Sequence, residues 1–328
     1  MLRFLFRAIL VAIVVLAALL AFGLLASVRP SGQQFVLIKS GSSARRIASD
    51  LERAGVIRSQ AAFLLWHYFK GHKSLKAGEY AFDRPANAIE VYDRLGRGDI
   101  YIRTLVVPEG YNMFDIAAAL EVAGLGVRAD FLAVAQTETA LVRDLDPQAP
   151  SLEGYLFPDT YHFSRTQSMH DIASVMVRRF RQEMREISLA SDLHNVVTMA
   201  SIVEKETAVP DERPVVAGVF QNRLEKDTQL KTDPTVIYAA LLDSRYRGKI
   251  YQSDLQSASP YNTYKVVGLP PGPICNPGRA SLLAAMHPAK TDYFFFVSDN
   301  QGHHRFARTE QEHAKNVAAY RKAVAHSR

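Results

Sequence analysis

Glu204 and Glu206 stand two residues apart at the end of an apolar segment, Thr-Met-Ala-Ser-Ile-Val-Glu-Lys-Glu-Thr, residues 198–207. With Val196–Thr207 on a helix of about 3.6 residues per turn, Met199, Ile202 and Val203 form one stripe, and Glu206 falls on it. Glu204 points almost the opposite way. A carboxylate on an apolar stripe is either drawn into a partner network or held protonated by a raised pKa, and the protonated state is what a general acid needs. A competing arrangement puts Val203 or Ala208 at the edge of the buried face and leaves both glutamates in solvent. The surroundings favour a cleft. Pro210, the Asp211-Glu212-Arg213 cluster, Asn222, Arg223 and the turn Thr232-Asp233-Pro234 set polar groups around two otherwise apolar helices.

The elements that must position these groups follow from pattern. Ser168–Ile187 reads as an amphipathic helix backing the glutamate helix. Val215–Leu224 reads as a helix with Pro214 in its first turn, and Thr235–Leu242 as one that Asp233 can cap. Upstream, the pattern predicts a strand at Leu105–Val107, a helix at Met113–Val122, and a helix capped by Asp130 that continues through Ala140. Gly268–Gly278, rich in proline and glycine, suits a rigid surface loop. A buried strand at Tyr293–Val297 and a closing helix at Gln311–Val324 complete the chain. Aromatics mixed with polar groups at Glu153–Asp159 and Tyr261–Tyr264 suit a sugar-binding wall, because a pyranose offers an apolar face to a ring and hydroxyls to polar groups. Core packing of Tyr155 and Phe157 competes with that role.

Residues Ala8–Val28 form an uncharged run flanked by Arg3, Arg7 and Arg29, long enough to span about 30 Å of hydrocarbon as a helix. The run is longer than the apolar core of an ordinary signal peptide, so an uncleaved anchor over residues 1–30 is expected. The arginines before the span favour an inside amino terminus. Residues 31–98 read as a separate small module with a strand at Val36–Ile38 and helices at Ser42–Ala54 and Ala61–Tyr68. A second strand follows within Leu75–Phe82, then a helix from Asn87 to Leu95 ending at Gly96. Residues 99–328 form the larger domain, and the fold class is α+β.

At 328 residues with 22% charged and 48% hydrophobic side chains, the chain can bury a substantial core. The net charge of +6 could favour an anionic surface such as lipid or wall polymer, but the basic residues are scattered and no nucleic-acid partner is expected. The single Cys275 rules out an intrachain disulfide framework. No histidine shares the helical spacing of a metallohydrolase, and no Gly-x-Ser-x-Gly elbow or phosphate-binding glycine loop is present. No metal or cofactor is expected.

Seven stretches carry a resemblance. Ser201–Thr207, Val219–Leu224, Leu230–Tyr238, Tyr261–Tyr264 and Gly268–Gly278, with Glu153–Tyr161 and His287–Val297, resemble in order the bacterial endolytic murein transglycosylases, the YceG-like family. The resemblance implies non-hydrolytic cleavage of peptidoglycan glycan strands between N-acetylmuramic acid and N-acetylglucosamine. The product would carry a 1,6-anhydro end, and the enzyme would end the elongation of nascent strands. It implies Glu206 as the catalytic residue, on a lysozyme-like helix. Substrate contacts would come from Glu153, Tyr155, Asp159, Asn222, Gln229, Thr232, Asp233, Tyr261, Asn262, Tyr264 and Asn276. It further implies a single-pass inner-membrane protein with a cytoplasmic amino terminus, a periplasmic LysM-like βααβ module and catalytic domain, and peptidoglycan synthases and the elongation machinery as partners. The alternatives are a non-catalytic wall-binding membrane protein and a carboxylate glycoside hydrolase.

Overall fold

The computed structural model describes residues 2–189 and 192–326; Met1 of the expected anchor and residues 190, 191, 327 and 328 of the expected larger domain lie outside the description. The architecture is α+β, and the described strands occur as three two-stranded pairs. The chain divides into two compact units, residues 1–104 with 162–167, and residues 105–161 with 168–328.

The first unit opens with α1 (Leu2–Leu25), of which Arg3–Leu25 is long and apolar enough to cross a membrane, with a mean hydropathy of 3.1. The helix stops three residues short of the uncharged run's end, because Val28 leaves it to exchange backbone hydrogen bonds with Ala86. Then come β1 (Gln34–Ile38), α2 (Ala44–Arg53), α3 (Gln60–Phe69), β2 (Gly78–Phe82) and α4 (Ala88–Arg97). Strands β1 and β2 pair antiparallel with Val36 opposite Tyr80, and the inward-facing Val36, Ile38, Tyr80 and Phe82 pack on Ile47, Leu51, Phe63, Val91 and Leu95. The side chains of Ser43, Ser59 and Asn87 accept hydrogen bonds from the first-turn amides of α2, α3 and α4. The stop of α4 is at Gly98 rather than at Gly96: Gly98 takes the left-handed conformation that ends a helix, with φ of 80°.

Strand β3 (Arg103–Val106) follows, then α5 (Met113–Val122) and α6 (Arg128–Thr137). Asp130 does not cap α6, which starts two residues earlier; the free amide of Arg128 is met instead by the Glu121 carboxylate at 3.1 Å. The helix also ends at Thr137, short of Ala140, and a 3-10 turn over Thr139–Leu141 replaces its last residues. Strand β4 (Thr160–Phe163) pairs with β3, and α7 (Met169–Glu186) leads to α8 (Leu193–Glu206). Helices α9 (Arg213–Glu225), α10 (Asp233–Leu242) and α12 (Arg279–Met286) pack against α8, and the short α11 (Gln252–Leu255) packs on α10. The antiparallel pair β5 (Phe295–Ser298) and β6 (His304–Ala307) and the closing α13 (Glu310–His326) end the described chain. Strand β5 begins at Phe295, not Tyr293, and is half-buried along its length. Gly218 is required where α9 meets the chain after α12, since a Cβ there would come within 2.3 Å of the Ala289 carbonyl oxygen.

The proline-glycine segment is not a surface loop. Residues 272–278 are buried against α8. The Ile274 amide donates to Ser201 Oγ at 3.0 Å, the Cys275 thiol to the Ser201 carbonyl at 3.2 Å, and the Gly278 amide to Glu204 Oε2 at 3.0 Å. A segment without its own ladder is held inside because neighbouring side chains satisfy its backbone.

Candidate active site

Helix α8 buries every residue from Val197 to Val203 and delivers Glu206 at its last position. The chain leaves the helix at Thr207, whose hydroxyl donates to Glu212 Oε2 at 3.3 Å. Glu212 also accepts from the His304 backbone amide at 2.9 Å, lies 2.6 Å from His304 Nδ1, and is paired with His303 Nδ1 at 3.2 Å. The β5–β6 hairpin is thereby tied to the residue that follows Glu206.

Glu206 is half-buried and lines a cleft of about 630 Å³. Around it stand Thr232, Asp233 and Tyr264 as polar groups, with Phe220, Phe295 and Phe296 as apolar wall. Burial raises the Glu206 pKa above the ordinary carboxyl value; hydrogen bonding to Thr232 opposes the rise and the Asp233 charge adds to it. A protonated carboxyl beside a sugar-sized cleft can donate to a leaving oxygen.

Glu204 is committed elsewhere. Its Oε1 accepts from Arg213 at 3.3 Å and its Oε2 from the Gly278 amide, so this acid braces the buried loop. Glu204→Gln keeps an acceptor but leaves the buried Arg213 guanidinium weakly paired. We expect it to cost about 1–3 kcal/mol of stability, read as a lower melting temperature, with most activity kept.

The other residues implicated by sequence are dispersed. Thr232, Asp233 and Tyr264 share the cleft with Glu206. Asp233 is the first residue of α10 rather than its cap, and its Oδ1 accepts from the Tyr264 hydroxyl at 2.7 Å, directing both groups by one bond. Asn222 does not line the cleft: its amide donates to the carbonyls of Thr291 and Tyr293 at 2.8 and 2.9 Å and holds the approach to β5. Gln229 lies in an adjoining recess with Lys231 and Phe294, and its carbonyl accepts from Arg223. Asp159 is exposed and paired with Arg179 at 2.7 Å.

Glu153, Tyr155, Tyr261, Asn262 and Asn276 are buried, and their roles are internal. Both Glu153 oxygens accept from the Met113 amide at the start of α5, at 3.1 and 2.9 Å, and Oε1 also accepts from Asn276 Nδ2 at 2.9 Å. Asn276 Oδ1 accepts the amides of Gly154 and Leu156, both at 2.9 Å. Gly154 sits at φ of 88°, and a Cβ there would reach within 2.4 Å of Pro273. Burial pushes the Glu153 carboxyl up to about 8. The Tyr155 hydroxyl donates to Asp146, the Tyr261 ring packs on Tyr238 at 5.2 Å, and Asn262 Nδ2 donates to the Leu255 and Ser257 carbonyls. These polar groups in aromatic surroundings join the segments that frame the site; enclosed as they are, they offer no face to the cleft.

Sequence reasoning passed over Phe220, Phe295, Phe296 and the α13 residues His313, Ala314 and Val317 as cleft residues. Arg223 donates to the Phe294, Gln229 and Leu230 carbonyls and lies 5.1 Å over the Phe295 ring, on which His313 also stacks. The run of aromatics at 293–296 was the available signal. Such a run fits a buried strand equally well, and only the hairpin's tertiary position leaves those rings half-exposed. Among the described residues no group of three His, Cys, Asp or Glu side chains could hold a metal ion.

The profile of the YceG-like family matches residues 36–319, a span that includes the helix-borne acid and its aromatic-walled cleft, and the chain belongs to that family. It is 35% identical to the endolytic murein transglycosylase of Bacillus subtilis (strain 168), over 86% of this chain and 83% of that one. It is 29% identical to the endolytic murein transglycosylase of Streptococcus pneumoniae serotype 2 (strain D39), again over 86% of this chain but 57% of the longer relative. A crystal structure of a yceG-like protein from Listeria monocytogenes superposes with a TM-score of 0.56 at 34% identity, covering 86% of this chain and 98% of that one.

Proposed function

We propose that this chain is an endolytic peptidoglycan lytic transglycosylase in which Glu206 serves as acid and then as base. The observation that carries the reading is the half-buried Glu206, with its pKa raised, at the wall of a sugar-sized cleft in a chain whose relatives are named endolytic murein transglycosylases. The Glu206 carboxyl protonates the oxygen linking N-acetylmuramic acid C1 to N-acetylglucosamine, and the C1–O bond breaks. The carboxylate left behind takes the proton of the muramic C6 hydroxyl as that oxygen bonds to C1. The acid is regenerated, a 1,6-anhydro ring closes and no water is consumed. One carboxylate suffices, in the manner of the lysozyme-like transglycosylases that the Glu206-Thr207 helix end resembles. Phe220, Phe295 and Phe296 supply apolar faces for the sugars, and Thr232, Asp233 and Tyr264 supply polar contacts.

Asp233 favours a second reading, hydrolysis, because a hydrolase uses a second carboxylate to activate water or trap the sugar. Its bond from Tyr264 fits a positioning role as well. Mass spectrometry of digested peptidoglycan separates the two. Anhydro-ended fragments lack one water relative to reducing-end fragments, and finding only reducing ends would sink the transglycosylase reading.

The same reading has α1 as an uncleaved inner-membrane span with the amino terminus in the cytoplasm, and the rest of the chain acting in the periplasm on nascent strands near the synthases, as a terminase of elongation. The 31–98 module, whose strands and intervening helices have the βααβ order of a LysM-like fold, would hold polymer in the groove of about 640 Å³ between β1 and α2. Arg46, Asp50 and Arg53 line it with Phe35 and Val36. A chain lacking residues 31–98 is expected to cleave the same bond while sedimenting less with polymeric peptidoglycan; equal sedimentation would make the module a spacer.

A further inference from the structure

Helix α3 is hydrophobic on two sides. Ala62 and Phe63 are buried in the first unit, whereas Leu65, Tyr68 and Phe69 are 40, 65 and 71% exposed. Soluble surfaces scatter such residues singly, and here three occupy about one turn. The same helix packs along the end of α1. Ala17, Leu20, Ala21 and Leu24 form an apolar groove with Ala62, Leu65, Trp66 and Phe69. The approach is close, since a Cβ on Gly23 would come within 3.0 Å of Ser59 Cβ. Arg58 adds a ring contact 5.2 Å from the Phe22 centroid and a hydrogen bond of 3.2 Å to the Ser27 carbonyl.

The length of α1 decides what covers the exposed face. Arg7 bounds the apolar run on one side, and the helix from Ala8 to its end at Leu25 rises about 27 Å, against about 30 Å of hydrocarbon. No turn is left to stand above the bilayer. The turns that α3 contacts, residues 17–24, therefore belong to the half of the membrane nearer the folded unit. Were they outside, the remaining apolar helix of Ala8–Leu16 would measure about 14 Å and could not span.

We propose that α3 is a second membrane contact, lying at the bilayer surface with Leu65, Tyr68 and Phe69 among the lipid chains and headgroups. The proposal rests on the reading of α1 as a membrane span. The composition suits that depth: Trp and Tyr favour the headgroup boundary, and long basic side chains reach from it toward water. Lys70 lies 4.8 Å over the Trp66 ring, and Lys73 follows just beyond the turn that ends α3. A single span leaves its domain free to swing, whereas a span joined to a surface helix holds the first unit against the bilayer.

Trp66 is the only tryptophan of the chain, so its emission reports on α3 alone. The full-length protein is reconstituted in phosphatidylcholine vesicles carrying bromine at shallow or deep acyl positions, and retention on the vesicles after an alkaline wash is measured in parallel. Retained protein should lose most of its Trp66 emission to shallow bromines, less to deep ones, and little to aqueous acrylamide. The double variant Leu65→Asp, Phe69→Asp should stay on the vesicles through α1 but recover its emission and become open to acrylamide. Retained native protein quenched by acrylamide and not by bromolipid overturns the α3 proposal and leaves the anchor intact. Protein washed off the vesicles overturns the anchor, and the α3 proposal with it.

Discussion

Glu206→Gln is expected to give a folded protein that still binds peptidoglycan but releases anhydro-ended product about a hundredfold or more slowly, the usual scale of general acid–base assistance. Gln keeps the size and hydrogen-bonding capacity of the side chain and removes the transferable proton. The loss should appear in the turnover of saturating peptidoglycan, measured by chromatography of muropeptides, with the melting temperature little changed. The pH profile carries the sign. Burial raises the folded-state pKa of Glu206, so the donating form persists above the ordinary carboxyl range and activity declines as pH rises through that raised value. Near-native turnover in Glu206→Gln, together with an inactive Glu204→Gln, would move the chemistry to the other acid.

Replacing Glu153 by Ala should be the most damaging change to stability among the acids of the second unit. Three donors converge on this buried carboxyl: the Met113 amide, Asn276 Nδ2 and the Tyr238 hydroxyl. Truncation strands all three in the buried interior. The expected cost is on the order of 3 kcal/mol or more, seen as a shifted denaturant midpoint. Titration gives an independent check. With the folded carboxyl at about 8 and the unfolded one near the ordinary 4.5, the folded protein keeps a proton that the unfolded chain has released between those pH values. Stability from this group is therefore full at low pH and declines as pH rises across that window, by on the order of a few kcal/mol. Glu153→Gln cannot titrate, so the stability difference between it and the native protein should change with pH in that direction. A difference independent of pH would show that Glu153 is ionised throughout.

Much was legible from residue order because it depends on local rules. The helical period of Met199, Ile202 and Val203 separates the two nearby acids, and the structure sends Glu206 to the cleft and Glu204 to Arg213 and the Gly278 amide; the uncharged length of Ala8–Val28 determined a span-length helix. The Ser43, Ser59 and Asn87 caps went unread although they are equally local, and the two acids expected to cap, Asp130 and Asp233, do not, because their helices start earlier than the apolar pattern indicates. Composition suggested sugar-binding walls at Glu153–Asp159 and Tyr261–Tyr264, and the family resemblance added Asn276, because polar groups among aromatics serve both a saccharide and a buried hydrogen-bond frame. Only the three-dimensional packing separates these uses. It closes Asn276 and Glu153 on the amides of Gly154, Leu156 and Met113, more than a hundred residues apart along the chain in the first two cases. It also draws the proline-glycine loop into the interior, since Ser201 and Glu204 satisfy backbone groups that would otherwise need water. The wall opposite α8 was likewise decided by tertiary structure: Phe295, Phe296 and His313 reach the cleft because Glu212 ties His304 to the turn after Glu206, a long-range bond that no periodicity encodes.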